Sequence, residues 1–212
     1  MLEKFDSLIG RLIQARLRGL LVNSQENERI ESLDTAYEIQ EKVLEGLGSE
    51  SIFWKVGSTS IEAQKKLGTD EPGSCRVPEK YCFLNGDKIP IFDAHDVWVE
   101  GEFGIRLGCD LPSRAQPYGR GEIISAIDGA AASLELVGSR FASGIANSGR
   151  YNVTADGGAN IALCVGEIAT HASASSIKDN SAELYVNDIK VASGSGEKAL
   201  GDPVNVMLWL AN

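Results

Sequence analysis

The sequence has few of the residues that build zinc sites or disulfides. The four cysteines and two histidines are Cys75, Cys82, Cys109, Cys164, His95 and His171. No two cysteines form a Cys-x-x-Cys pair and the histidines are scattered, whereas a zinc site needs closely grouped ligands. We therefore expect reduced, mostly buried thiols in a reducing compartment.

Positive charge is also scarce. The chain carries 20 Lys and Arg against 30 Asp and Glu, which gives a formal net charge of -10. The mean surface field repels nucleic acid and anionic membranes, so we expect neither as a partner. A small anionic substrate would be repelled as well, and any site for one has to be made locally positive by a metal, Lys or Arg.

Long apolar runs are missing, although 43% of the 212 residues are hydrophobic. The longest apolar stretches fall far short of a membrane span, and the residues after Met1 do not resemble a signal peptide. We therefore expect a cytoplasmic protein. Length and composition suffice for one sizeable core, so a single domain is predicted over 1–212, with a helical part at 1–50 and a mixed part that carries the site at 51–212.

Hydrophobic spacing predicts a mixed α/β fold. Helical periodicity indicates a first helix at about 2–22, whose outer face is basic with Arg11, Arg16 and Arg18. Further helices are expected at about 35–47, at 122–132 and after Pro203. Strands are expected at about 52–56, 97–108, 133–137, 161–170, 182–186 and 189–193, with a hairpin at 79–96 and an irregular loop at 141–160.

Two glutamates on the strand at 97–108 form the first candidate site. Alternation along a strand places Glu100 and Glu102 side by side on one face. Two such carboxylates repel each other unless a positive group lies between them, and a hard divalent cation with oxygen ligands is the usual solution. The alternative is an ordinary solvated strand face, on which Arg106 lies four residues after Glu102.

Glu135 is a lone carboxylate within the apolar run 132–137. An unpaired buried carboxylate is costly, so Glu135 needs a partner. A metal shared with Glu100 and Glu102 would serve, and Arg140 is the alternative partner.

Lys55 lies among aromatic and apolar residues at 52–57. Such a lysine either extends its ammonium to the surface or has a function. A buried lysine has a lowered pKa and can act as a base.

Six segments carry a resemblance to a known family. In chain order they are Thr35 to Gln40, Trp54 to Ser60, Leu67 to Pro72, Val99 to Phe103, Leu134 to Val137, and Asp202 to Asn212. In this order they resemble the motifs of the 2-keto-4-pentenoate hydratase family, which includes 4-oxalocrotonate decarboxylases. The resemblance covers nearly the whole chain and is specific because all six segments occur in the right order.

The resemblance implies a fumarylacetoacetase-type β-roll with flanking helices. The usual family sequence continues beyond the final helix, so this chain resembles a C-terminally short member whose roll is incomplete at that end. Exposed strand edges would need a cover, and a homo-oligomer is therefore expected.

The resemblance also implies roles for individual residues. Glu100, Glu102 and Glu135 would hold Mg²⁺ or Mn²⁺, and Lys55 would be the general acid/base. The expected substrate contacts are Ser58, Ser60, Asp70, Arg140 and Asn160. Alternatives remain for most of them: the serines are also candidate helix caps, Arg140 a partner of Glu135, and Asn160 and Asp156 turn residues.

The implied activity is a divalent-metal-dependent hydratase that acts on a 2-hydroxy-dienoate or 2-keto acid in the catabolism of aromatic-type compounds. The alternatives are decarboxylation of a 2-keto diacid such as 4-oxalocrotonate, and a non-catalytic hydratase-like subunit. The chain departs from the family pattern at Gly73, where hydratases usually carry an acid, and at Gly138, where an aspartate is lost. Hydrolysis of carbon–carbon bonds is disfavoured, because His95 and His171 match no motif for that reaction.

Overall fold

The computed structural model describes residues 2–170 and 177–212, and His171 lies outside the described residues. Two helices begin this part of the chain, α1 (Asp6–Arg18) and α2 (Leu33–Gly46). The hydroxyl of Ser32 caps α2 by accepting from the Thr35 N–H at 3.2 Å, and Gly19 ends α1 in the left-handed conformation that favours glycine. Both predicted helices are confirmed, although α1 ends earlier than expected.

The apolar faces of α1 and α2 form one core. The buried side chains that they contribute include Leu8, Leu12, Ala36 and Ile39. Arg16 follows Leu12 by four residues and turns toward the inside, where its guanidinium lies 4.4 Å from the Tyr81 ring centroid. The prediction of an outer basic face is therefore wrong for Arg16.

Two sheets lie after these helices and position the candidate site. A two-stranded antiparallel ribbon joins β1 (Phe53–Gly57) to β2 (Gly73–Val77), with α3 (Ile61–Leu67) between them in sequence. The larger sheet has the order β3-β6-β5-β4, with β7 paired to β5. Its strands are β3 (Cys82–Leu84), β4 (Trp98–Leu107), β5 (Ile127–Val137), β6 (Asn160–Val165) and β7 (Ala169–Thr170).

The remaining elements complete a mixed α/β fold. They are α4 (Arg120–Ala126), α5 (Gly144–Ala155), the antiparallel pair β8 (Ser181–Val186) and β9 (Ile189–Ser195), and α6 (Pro203–Ala211). Val204 of α6 is buried against Ile123 of α4. Over residues 2–170 and 177–212, no helix has the length and apolar character needed to cross a bilayer.

The chain departs from the predicted elements in three places. The helix expected at 122–132 ends at Ala126, because pairing of β5 with β4 along the strand overrides the helical propensity of its alanines. Instead of forming a hairpin, β3 pairs in parallel with β6. The loop expected at 141–160 contains α5, which is broken at Gly149, where φ is 71°.

Candidate metal centre

Strand register brings three carboxylates together. Glu100 on β4 lies directly opposite Glu135 on β5, and Glu102 lies opposite Ser133. Opposed residues of an antiparallel pair point to the same face, with Cβ atoms about 5 Å apart. One oxygen from each glutamate lies within 4.8 Å of the others. The structure thus joins the two candidate sites of the sequence into one.

The electrostatics of this cluster are unfavourable without a cation. Burial, reinforced by the charge of Glu135, raises the pKa of Glu100. Burial and the two neighbouring glutamates raise the pKa of Glu102 to about 7. Both side chains keep exposed surface, so an ion from solvent can reach them. A converging set of carboxylate oxygens that resists ionisation fits a hard divalent cation.

Lys55 reaches the same cluster from β1. Its side chain is buried, and Nζ lies 3.3 Å from Glu135 Oε1. The alternative of a lysine that extends to the surface is therefore wrong. Gly57 and Gly158 make room for the side chain: a Cβ on Gly57 would lie 3.0 Å from Nζ, and one on Gly158 would lie 2.9 Å from Cε.

The expected lowering of the Lys55 pKa is also wrong. Burial acts to lower it, but the nearby negative groups, led by Glu135 and including Glu100, outweigh burial and raise the pKa. Lys55 is therefore an ammonium at neutral pH.

Asn160 supports Glu135. The Asn160 side chain is 1% exposed, and its Nδ2 donates to Glu135 Oε1 at 2.9 Å. Arg16 Nη2 in turn donates to Asn160 Oδ1 at 3.1 Å. Arg16 was not predicted as part of the site, although its place four residues after Leu12 and eight after Leu8 indicates the buried face of the helix.

Arg140 has a different partner from the one expected. It is 1% exposed, its Nε donates to Asp156 Oδ1 at 2.6 Å, and its Nη1 donates to the Asn160 carbonyl at 2.7 Å. The alternative of pairing with Glu135 is wrong, because the carboxylate of Asp156 binds the Arg140 guanidinium. Contact between Arg140 and substrate stays a prediction.

The remaining predicted residues lie on the connection from β1 to β2. The Ser60 hydroxyl caps α3 by accepting from the Ala63 N–H at 3.2 Å, which confirms the capping alternative. Ser58 has a positive φ of 56°, and its carbonyl accepts from Gln64 Nε2 at 3.0 Å. Asp70 is exposed. Substrate contact by Ser58, Ser60 and Asp70 stays a prediction.

Comparison with known proteins finds similar hydratases. The 2-keto-4-pentenoate hydratase of Paraburkholderia xenovorans (strain LB400) is 31% identical over 183 residues, which cover 85% of this chain and 66% of that protein. The chain therefore spans just under two thirds of the length of this curated relative. A scan against protein-family models gives no match.

Solved structures show the same fold. The 4-oxalocrotonate decarboxylase from Pseudomonas putida G7, complexed with calcium and acetate, has a TM-score of 0.83 at 20% identity and covers 100% of this chain and 80% of that one. Its complex with magnesium and adipate has a TM-score of 0.80 at 21% identity and covers 97% and 78%. Motif order, sequence identity and fold agree, and together they support the 2-keto-4-pentenoate hydratases as the family that this chain resembles, with the fold of 4-oxalocrotonate decarboxylase.

Proposed function

We propose that this protein is a divalent-metal-dependent lyase, a hydratase that acts on a 2-hydroxy-dienoate or 2-keto acid in the catabolism of aromatic-type compounds. The observation that carries the proposal is the convergence of three glutamates and one buried lysine from three strands. The similar protein of Paraburkholderia xenovorans (strain LB400) is a 2-keto-4-pentenoate hydratase. We also propose a finer assignment of the fold: residues 51–212 form a fumarylacetoacetase-type β-roll, and residues 1–50 form its helical part.

Glu100, Glu102 and Glu135 would hold the cation, Mg²⁺ or Mn²⁺. Their oxygens suit either ion, and the similar decarboxylase is described as a magnesium and as a calcium complex. When bound, the cation supplies positive charge that neutralises the substrate carboxylate and stabilises negative charge on the 2-oxygen.

Lys55 would move the proton. Its ammonium is held at Glu135 Oε1 and stays protonated at neutral pH, so Nζ can donate a proton to carbon when the dienol is converted to the ketone. The 2-hydroxyl group loses its proton in the same conversion, and Lys55 returns to the ammonium form with no net uptake of protons. Asn160 fixes the carboxylate of Glu135 beside Lys55. The chain thus keeps the proton donor and the acidic ligands in one fixed arrangement.

Decarboxylation of a 2-keto diacid such as 4-oxalocrotonate is the second candidate. Gly73 favours it, because the acid that hydratases usually carry at this position is a proposed partner in proton transfer. Loss of carbon dioxide needs the same carboxylate cluster but no activated water.

A homo-oligomer is proposed for the assembly. β4 is an outer strand of the sheet, and Trp98 on it is 65% exposed. Tyr185, Val186, Ile189 and Val191 of the β8–β9 pair are also exposed. Unpaired edges and apolar surface of this kind are usually covered. Size exclusion with light scattering measures the oligomeric state. A result that shows only monomer at micromolar concentration would contradict this part of the proposal.

The first experiment is a calorimetric titration of oxalate, which mimics the carboxylate and 2-oxygen end of the substrate. Binding in Mg²⁺ that disappears in EDTA supports the metal centre, and a screen of 2-hydroxy-dienoates and 2-keto diacids for turnover then separates the two reactions. No binding in either condition points to a non-catalytic hydratase-like subunit.

A further inference from the structure

Gly73 leaves a gap in the side chains beside the metal centre. It pairs across the β1–β2 ribbon with Gly57, and Lys55 pairs with Cys75 two residues away. Opposed residues, and residues two apart on a strand, point to the same face. A side chain on Gly73 would therefore stand on the face from which Lys55 reaches Glu135.

Arg150 occupies this gap. A Cβ on Gly73 would lie 3.1 Å from both Nη1 and Nη2 of Arg150, whereas a Cβ on Gly57 would lie 3.0 Å from Lys55 Nζ. Directly opposed Cβ positions are about 5 Å apart. The guanidinium and the ammonium therefore lie over neighbouring positions of one ribbon face.

The guanidinium of Arg150 is anchored but incompletely paired. Nη2 donates to the Pro72 carbonyl oxygen. Nε is buried and has no hydrogen-bond partner among residues 2–170 and 177–212, and no ion pair in that part of the chain includes Arg150. Arg150 is only partly buried. Because its charge has no counter-ion in that part of the chain, the guanidinium remains available to an anionic partner from outside the chain.

We propose that Arg150 binds the distal carboxylate of the substrate and that the site selects 2-keto or 2-hydroxy diacids over monoacids of equal length. The inference rests on the proposed function, in which the 1-carboxylate and 2-oxygen would face the cation held by the three glutamates. Guanidinium groups bind carboxylates through paired, charge-assisted hydrogen bonds. In a chain of net charge -10, a second negative group on the substrate needs a second local cation.

Gly73 also contributes to the proposed preference for diacids. An acidic side chain there would lie against the guanidinium and neutralise it. Glycine keeps Arg150 without a counter-ion, so its charge remains available to a ligand.

The test measures binding of two six-carbon probes, 2-oxoadipate and 2-oxohexanoate, by calorimetry in Mg²⁺, with oxalate as the probe of the glutamate end. The wild-type chain is expected to bind the diacid about 10- to 100-fold more tightly than the monoacid. Arg150→Met is expected to remove this preference and to leave oxalate binding within about twofold.

Gly73→Asp is the second variant, because it places a counter-ion against Arg150 without removing it. Gly73 does not have a positive φ, so aspartate is compatible with its backbone. This variant is also expected to lose the preference for the diacid, and it decides the matter if Arg150→Met does not fold. Arg18→Met, at an exposed position of α1, is the matched control and is expected to keep the preference.

Equal affinities for both probes in the wild-type chain would overturn the inference, as would a preference that survives both variants. In either case metal-dependent oxalate binding would leave the proposed function intact. Absence of oxalate binding in Mg²⁺ would overturn the proposed function and the inference with it.

Discussion

Two clusters of charged groups lie close together in this chain and differ in how they balance their charges. Arg140 and Asp156 form a fully buried pair of one cation and one anion, completed by backbone carbonyls. The second cluster, the metal centre, contains the three carboxylates of Glu100, Glu102 and Glu135 and the ammonium of Lys55. The first cluster is complete within the protein, whereas the second carries surplus negative charge. Charge balance therefore separates the cluster that holds the fold from the cluster that can hold a ligand.

Breaking the balanced pair is expected to have the largest effect. Asp156→Ala leaves the Arg140 guanidinium buried without a counter-ion, which should lower the free energy of unfolding by about 3–5 kcal/mol. Urea denaturation measures the loss, and Mg²⁺ should not restore it. Asp128→Ala is the control, because its exposed pair with Arg106 is expected to contribute only about 0–1 kcal/mol. If Asp156→Ala lowered the free energy of unfolding by no more than Asp128→Ala does, the Arg140–Asp156 pair would not be the cluster that stabilises the fold.

Removing the ammonium of the second cluster should affect turnover rather than binding. Lys55→Ala is expected to lower turnover by about a hundredfold or more, because the proton donor is lost. Steady-state kinetics measure this change, and calorimetry should show that Mg²⁺ still binds. Lys42→Ala, at an exposed position, is the control. A rate near that of the wild type would mean that Lys55 serves only as the counter-ion of Glu135.

Glu102→Gln reduces the surplus negative charge by one. Mg²⁺ affinity in calorimetry is expected to fall by about tenfold or more, because a charged oxygen ligand is lost. The Tm of the metal-free protein should stay the same or rise, because the repulsion among the glutamates decreases. Glu122→Gln, which alters an exposed carboxylate paired with Arg114, should leave Mg²⁺ affinity unchanged. Unchanged affinity in Glu102→Gln would remove Glu102 from the ligand set.

The smallest expected effect is on the pH dependence of Mg²⁺ binding. A proton on Glu102, whose pKa in the metal-free protein is about 7, competes with the cation. Affinity should therefore rise from pH 6 to pH 8 by roughly tenfold and level off above that range. Calorimetry in buffers of different ionisation enthalpy should detect release of about one proton near pH 6. An affinity independent of pH between 6 and 8 would contradict the raised pKa.

Part of the candidate site could be predicted from local patterns. Alternation on one strand placed Glu100 and Glu102 on a common face, and the apolar surroundings of Glu135 indicated that it needs a partner. The pairing of Glu100 with Glu135 could not be predicted, because strand register depends on contacts distant in sequence. The alanine-rich start of β5 has helical propensity, which concealed most of the strand.

The polar neighbours of the site were harder to predict. Asn160 and Arg140 were expected to contact substrate, and the structure shows both of them bonded within the protein. Arg150 could not be predicted as part of the site, because the composition of 141–160 is typical of a loop and gives no indication of α5. A single sequence contains the side chains of such a network but not the three-dimensional contacts that select among their possible partners.

The direct opposition of Glu100 and Glu135 has a consequence for how the protein folds. A slip of one residue between β4 and β5 would turn Glu100 and Glu102 to the opposite face from Glu135. The native alignment presents three oxygens at one point, whereas an alignment slipped by one residue does not, so a cation held there would stabilise the native alignment over that alternative. The proposed cofactor would then act during folding as a check on strand alignment, before it takes part in any reaction.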